Sequence, residues 1–342
     1  MHPIPTAPSA PAPDAPRRAS APVLRPAVPA VVRAADLPRD ELARRVRDGT
    51  LVRVLRGVYG ESALDGPRWA AERHALLSRA AALDLVLTGE HWFSHTTAAV
   101  LWGCEVARVP RRVDVTSLVN PHLRPRRDGA EVAWHWTAVT ERASEVSRAP
   151  ALPASPLERT AFDCAATLPP GEGLVVADSA LRAGADPDLL RRITEESVGR
   201  RGVRRAREVL GLADARADSA GESSTRWAVL AAGLPAPDLQ VAVETRLGWR
   251  WVDLGWPDRR LAVEFDGRLK YGTDGREAAR TVFEEKRRQE AIEDEGWTVV
   301  RVVWADLADP VALGGRLWRA YRRAARANRA DPALRDRTVA PR

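Results

Sequence analysis

The chain has 342 residues, 45% of them hydrophobic and 29% charged, enough apolar material for two or three domains at roughly 100–200 residues each. No stretch approaches the roughly 20 uninterrupted apolar residues of a membrane helix, Cys104 and Cys164 alone exclude a disulfide framework or a cysteine-rich zinc site, and the N-terminus lacks the apolar segment of a secretory signal, so a cytoplasmic location is expected. The net charge of +7 and pI near 10.3 fit a nucleic-acid partner.

Residues 1–34 are rich in Pro and Ala without an apolar period, a composition expected of a disordered tail. Asp36-Leu37-Pro38-Arg39-Asp40-Glu41-Leu42 opens a helix, with Leu42 and Val46 spaced for one buried face and Asp48-Gly49 as its stop. TLVRVLRGVYG, residues 50–60, reads as a strand, a turn at Gly57 and a second strand. Helix, glycine stop and basic hairpin together predict a winged helix-turn-helix over 35–65. Arg44, Arg45 and Arg47 on the helix and Arg53 and Arg56 on the wing are its candidate DNA contacts, made to phosphate.

Residues 66–210 read as a mixed, mainly helical region. Helices are predicted at 67–87 and 95–101, strands at 111–117 and 131–137, and further helices over 156–210. The segment 199–210 carries five arginines, which read as a solvated face. Small and polar residues at 211–221 mark a linker. Beyond it the order is sharp: helix 222–232, strands 239–244, 249–254 and 260–266, helix 276–295, strand 298–304, and a helix at 310–327 with Arg316, Arg319, Arg323 and Arg326 at helical spacing. Residues 328–342 read as a second disordered tail. The fold class is α/β (α+β), with a central mixed sheet in the domain at 211–327.

That last domain collects carboxylates. Glu222 lies at a helix start, Asp253 on one strand, and Glu264 and Asp266 on the next, with Lys270 shortly after. Leu261, Val263 and Phe265 fall on one face of their strand, Glu264 and Asp266 on the other. The apolar run marks a central strand, where an unneutralised carboxylate is costly and converging carboxylates raise one another's pKa. A divalent cation removes the repulsion, and hard oxygen ligands favour Mg²⁺ (or Mn²⁺). A lysine beside it orients water or stabilises phosphate charge. All but two of the 53 basic residues are arginine, Lys270 and Lys286 being the exceptions, so a lysine says more here than any single arginine.

Asp253 followed eleven residues later by Glu264 resembles the PD-(D/E)xK nuclease core, and within it the Vsr-like branch, relatives of the very-short-patch repair endonuclease. Val252-Asp253-Leu254 matches that branch's VDF-type strand, Glu264-Phe265-Asp266-Gly267 its EvDG strand, and RRQEAIEDEGWTVVRVVW its helix, Gly-aromatic turn and last strand. Asp266 stands where the ordinary motif has lysine, Lys270 where the branch usually has histidine, and no proline precedes Asp253. The resemblance implies that Asp253 and Glu264 bind metal, with the Phe265 carbonyl as a further ligand. Asp266 would then be an extra ligand or a base outside the ligand set, Lys270 would orient water or phosphate, and Glu222 would support the ligands.

ELARRVRDGTLVRVLRGVYG, FSHTTAAVLWG (93–103) and SPLERTAFDCAATLP (155–169) resemble blocks of AbiEi-family antitoxins from type IV toxin–antitoxin systems. That resemblance implies DNA as partner, a cognate toxin, and a dimer on palindromic operators. Three readings follow: a DNA-binding protein with an Mg²⁺-dependent endonuclease domain, a non-catalytic antitoxin-like regulator of a toxin–antitoxin or phage-defence system with a degenerate nuclease fold, or a defence effector whose N-terminal half senses foreign DNA and whose output is nicking. Other motifs carry less. His91 and His95 lack an evident third ligand, Ser94, His95 and Asp114 lack the G-x-S-x-G elbow of a hydrolase triad, and Cys164 and the twelve tryptophans read as core. No P-loop or dinucleotide fingerprint occurs.

Overall fold

The computed structural model describes residues 23–63, 66–118, 132–136, 144–145, 152–267 and 275–330. The chain parts between Ala215 and Arg216 into two units, each with its own hydrophobic core. The architecture is α+β: helices packed on mixed and antiparallel sheets. Among the described residues no helix is long and apolar enough to cross a membrane.

The N-terminal unit begins with β1 (Val31–Arg33), α1 (Arg39–Arg47), β2 (Leu51–Leu55) and β3 (Val58–Glu61). Gly57, at φ 75°, makes the hairpin tip between β2 and β3, a left-handed conformation that glycine adopts without strain. β1 pairs antiparallel with β3, Val31 opposite Gly60, giving the order β1-β3-β2. Residues 23–34 therefore depart from the expected disordered tail. Val28 is buried in the core and Val31–Arg33 covers an open strand edge, a partnership that Pro/Ala composition does not reveal. The expected buried face of α1 is also corrected. None of its residues is buried and Val46 is 43% exposed, because this nine-residue helix lies on β2 at the rim of the unit and not over the core. A single 3-10 turn at Ala34–Asp36 is the other helical element between Val23 and Ala63.

Next come α2 (Arg68–Val86), β4 (His91–Phe93), α3 (His95–Leu101), β5 (Val113–Ser117), β6 (Val132–Trp136), β7 (Ser144–Glu145) and β8 (Pro153–Ala154). These strands form a five-stranded mixed sheet, order β6-β5-β4-β8-β7. Phe93, Val113 and Val115 meet Leu76 and Leu77 of α2 and Leu101 of α3 in the core. Four helices complete the unit: α4 (Leu157–Thr167), α5 (Pro170–Arg182), α6 (Pro187–Glu196) and α7 (Val203–Gly211). On α7, Ala206 and Val209 are buried while Arg204, Arg205 and Arg207 are exposed, the solvated face expected there.

The C-terminal unit contains α8 (Ala220–Ala231), β9 (Asp238–Thr245), β10 (Gly248–Trp256), β11 (Leu261–Phe265), α9 (Gly275–Asp294), β12 (Thr298–Val302), α10 (Trp304–Leu307) and α11 (Pro310–Ala330). β9, β10 and β11 form an antiparallel meander, and α9 carries the chain over to β12, parallel to β11. Each sheet face has its own cluster. Leu254, Leu261 and Val263 pack under α8 and α11, where Leu313, Leu317, Ala320 and Ala324 keep a helical apolar spacing. Ala262, Val252 and Val243 pack against Ile292 of α9.

Candidate active site

The β10–β11 ladder pairs Leu254 with Val263 and Gly255 with Ala262. The same register carried one step further sets Asp253 beside Glu264. The Phe265 N–H donates to Asp253 Oδ2 at 2.8 Å and fixes that carboxylate against β11. On the other side of β10 the ladder joins Val252 to Val241 and Leu254 to Leu239. Gln240 between them sits at φ 50°, unusual for a side-chain-bearing residue. Val252 and Leu254 then fall in different clusters although two residues apart, so the strands do not keep a plain alternation where Asp253 stands.

Glu264 is 5% exposed. Burial pushes its carboxyl up to about 7, with Asp253 and Glu285 adding to the rise and Arg288 opposing it. The Arg288 guanidinium donates to Glu264 Oε1 at 2.9 Å and to the Trp251 carbonyl at 2.6 Å. Glu285 joins Arg288, at 3.4 Å, to Arg301, at 2.9 Å, and Arg301 lies 3.4 Å from Asp266 Oδ2.

Glu222 arrives from α8. Ser219 caps this helix by accepting from the Glu222 N–H. The Glu222 carboxylate accepts from the Ser219 hydroxyl, the Asp218 N–H and the Gln240 amide at 2.9–3.1 Å. Burial first, then Asp253, pushes its carboxyl up to about 7. The approach of α8 depends on Gly221, where a Cβ would stand 2.0 Å from the Phe265 ring. Glu222, Asp253, Glu264 and Asp266 thus line one cavity of about 460 Å³, together with Trp249 and Arg250. Lys270 lies outside the described residues.

This donor set fits Mg²⁺, which takes one or two protein carboxylates and fills its octahedron with water and phosphate. The charge of Asp253 against both Glu222 and Glu264 is what a divalent cation would neutralise. No three of these carboxylates bring one oxygen each within 4.8 Å of one another; among the described residues the one His/Cys/Asp/Glu trio that does so is His95, Asp114 and His135. The acidic residues were legible in the sequence, whereas Arg288, Glu285 and Arg301 were not. The Glu285–Arg288 spacing on α9 was the available signal, but it was indistinct in so arginine-rich a chain.

Of the five arginines expected to contact DNA, Arg45 is half-buried and the other four are exposed. Arg44 and Arg45 make i,i+4 pairs with Asp48 and Glu41 at 3.7 and 3.8 Å. Arg47, Arg53 and Arg56 are exposed, Arg56 beside the hairpin tip. Of the α11 stripe, Arg319, Arg323 and Arg326 are exposed, whereas Arg316 bonds Asp306 and the Arg301 carbonyl. His91 is held by Asp84 and the Gly89 carbonyl. Cys164 is a buried free thiol, as expected of core.

No protein-family model matches the chain. Two uncharacterized proteins of Mycobacterium tuberculosis, Rv2248 and MT2308 from two strains, are each 33% identical to it over 294 residues, which is 84% of this chain and 98% of theirs. The crystal structure of the RV2827C protein from Mycobacterium tuberculosis is similar over 54% of this chain and 72% of its own, at 19% identity and a TM-score of 0.34.

Proposed function

The chain belongs to one family with the uncharacterized protein Rv2248 of Mycobacterium tuberculosis, and we propose that it is a cytoplasmic DNA-binding protein whose C-terminal unit is a Vsr-like endonuclease, hydrolysing phosphodiesters with Mg²⁺ or Mn²⁺. The observation that carries this reading is the cavity in which buried Glu264 stands beside Asp253 with its carboxyl raised to about 7. Asp253 and Glu264 would hold the ion, with the Phe265 carbonyl as a further oxygen; the ion would polarise the phosphate and acidify a bound water. Glu222, also raised to about 7, is suited to taking up or releasing a proton near neutral pH. Arg250, Arg288 and Arg301 line the same cavity and would stabilise phosphate charge. Arg44, Arg47, Arg53 and Arg56, all exposed, and half-buried Arg45 would hold the duplex through its backbone.

One observation favours a second reading. Arg288 already neutralises Glu264, and Arg301 lies against Asp266, as in a nuclease fold that has lost its metal and serves an AbiEi-like antitoxin as a DNA-binding module. Such a regulator would act with a cognate toxin, as a dimer on its own promoter.

A nicking assay on supercoiled and short duplex DNA with Mg²⁺ and Mn²⁺ tests the first reading. Asp253→Ala and Glu264→Ala are expected to lose cleavage by about 100-fold or more while keeping gel-shift affinity. Cleavage that survives in both variants overturns the reading. Specific binding to upstream DNA, without cleavage and without Mg²⁺ or Mn²⁺ binding that depends on Asp253 and Glu264, establishes the second.

A further inference from the structure

The N-terminal unit brings together a group of side chains able to ligate a metal, from two paired strands and the start of a helix. Asp114 and His135 come from neighbouring parallel strands, with Asp114 opposite Ala133 and His135 opposite Thr116. His95 is the first residue of α3, immediately after β4. The rings of His95 and His135 stack 3.8 Å apart at 18°. Nε2 of His135 and Asp114 Oδ1 are hydrogen-bonded at 3.0 Å, and a small opening of that contact would give the separation of about 3.3 Å between ligands of a tetrahedral ion with bonds near 2.0–2.1 Å. One donor atom from each of the three residues lies within 4.8 Å of the other two.

The orientation of His95 is built from outside the trio. Its Nδ1 lies 2.9 Å from Ser94 Oγ, which in turn accepts from the Thr116 hydroxyl at 2.6 Å. In the tautomer that carries its proton on Nδ1, the imidazole N–H donates to Ser94 Oγ and Nε2 keeps its lone pair. Histidine ligands commonly hand their second nitrogen to such a partner. His95 also holds φ at 49°, a conformation uncommon outside glycine and kept where surrounding contacts fix it. A core histidine satisfied by Ser94 alone needs neither the stacked second ring nor the carboxylate.

His95 and His135 line a cavity of about 330 Å³ shared with Trp92, Thr116, Arg200 and Arg201. Two imidazoles and one carboxylate are a donor set for zinc-like ions, whereas all-oxygen sets suit Mg²⁺. We infer that His95, Asp114 and His135 form a three-ligand site for a divalent transition-metal ion of the zinc class, open to water or an anion on its cavity side. It is independent of the carboxylate cavity of the C-terminal unit.

The test uses the full-length chain stripped of metal with chelator and titrated with Zn²⁺ by calorimetry and with Co²⁺ by visible absorption. The wild type is expected to bind one equivalent at this site with a tetrahedral-type Co²⁺ spectrum. His135→Ala should weaken that binding at least tenfold, while Asp253→Ala/Glu264→Ala should leave it unchanged. His135→Gln, at a side chain that is about one-third exposed, serves where circular dichroism shows that the alanine variant does not fold. Absence of Zn²⁺ and Co²⁺ binding in the wild type, binding unchanged in a folded His135 variant, or binding lost in the Asp253/Glu264 variant would each overturn the inference. The nuclease reading is decided by nicking and by Mg²⁺ or Mn²⁺ binding at Asp253 and Glu264, so the two fail separately.

Discussion

A carboxylate that titrates near neutrality records the cost of its surroundings. Glu264 and Glu222 both rise from 4.5 to about 7, chiefly through burial. The unfolded chain loses these protons first, so the folded state binds more protons between about pH 4.5 and 7, and stability falls as pH rises through that window. The groups facing Glu264 are Arg288, Asp253, Glu285 and Arg301; those facing Glu222 include Asp253 and Asp218. Urea melts at pH 5, 6, 7 and 8 without divalent ion should show a loss on the order of a few kcal/mol, partly abolished in Glu264→Gln. Addition of Mg²⁺ at pH 8 should restore part of it if the cavity takes the ion. A pH-independent melting curve would show that Arg288 fully offsets the burial of Glu264. At Gly221 the constraint is steric. Gly221→Ala drives a methyl into the Phe265 ring and should cost about 1–3 kcal/mol, read as a lower urea midpoint, with reduced nicking as Glu222 shifts.

At the scale of elements, α11 and the β2–β3 wing have opposite roles. Leu317 is fully buried between α11 and the sheet, so Leu317→Ala should lower stability by about 2–5 kcal/mol in urea titration. Arg53 and Arg56 are exposed on and beside the wing, and replacing both with alanine should change stability by about 0.5 kcal/mol or less. If the wing holds DNA, the same change should lower affinity across all sequences and flatten the salt dependence by about one unit of log–log slope for each phosphate no longer neutralised. An unchanged salt slope would remove the wing from the interface. The elements of the C-terminal unit were legible because β10 and β11 carry long apolar runs between turn residues and α9 and α11 keep a helical period. α1 was less so. Leu42 and Val46 have helical spacing, but spacing says nothing of whether a core lies beneath, and Val46 faces solvent.

For the whole molecule, the division at Ala215–Arg216 leads to an expectation about folding. Chains covering 23–215 and 216–330 should each unfold cooperatively when expressed separately, since each holds its own core. Calorimetry of the two pieces checks this, and a piece without a transition would show that its core needs the other. The expected boundary at 211 fell five residues before the observed start of the C-terminal unit at Arg216, because Asp214 is still held to the N-terminal unit by Asp178 Oδ1, while Arg216 already bonds the Leu239 carbonyl.

The sequence by itself determined the α+β class, the order of the elements in the C-terminal unit apart from the short helix Trp304–Leu307, and the carboxylates of its cavity, because period, turn residues and acidic side chains within apolar runs are local signals. Only the tertiary structure decided that β1 closes the edge of the N-terminal hairpin, that Gln240 breaks the alternation opposite Asp253, that Arg288 and Arg301 meet Glu264 and Asp266, and that His135 stacks on His95. Each of these joins residues far apart in the chain. Their encounter is set by how strands pair and helices pack, and in a chain whose basic residues are nearly all arginine no local contrast marks which of them will meet a carboxylate.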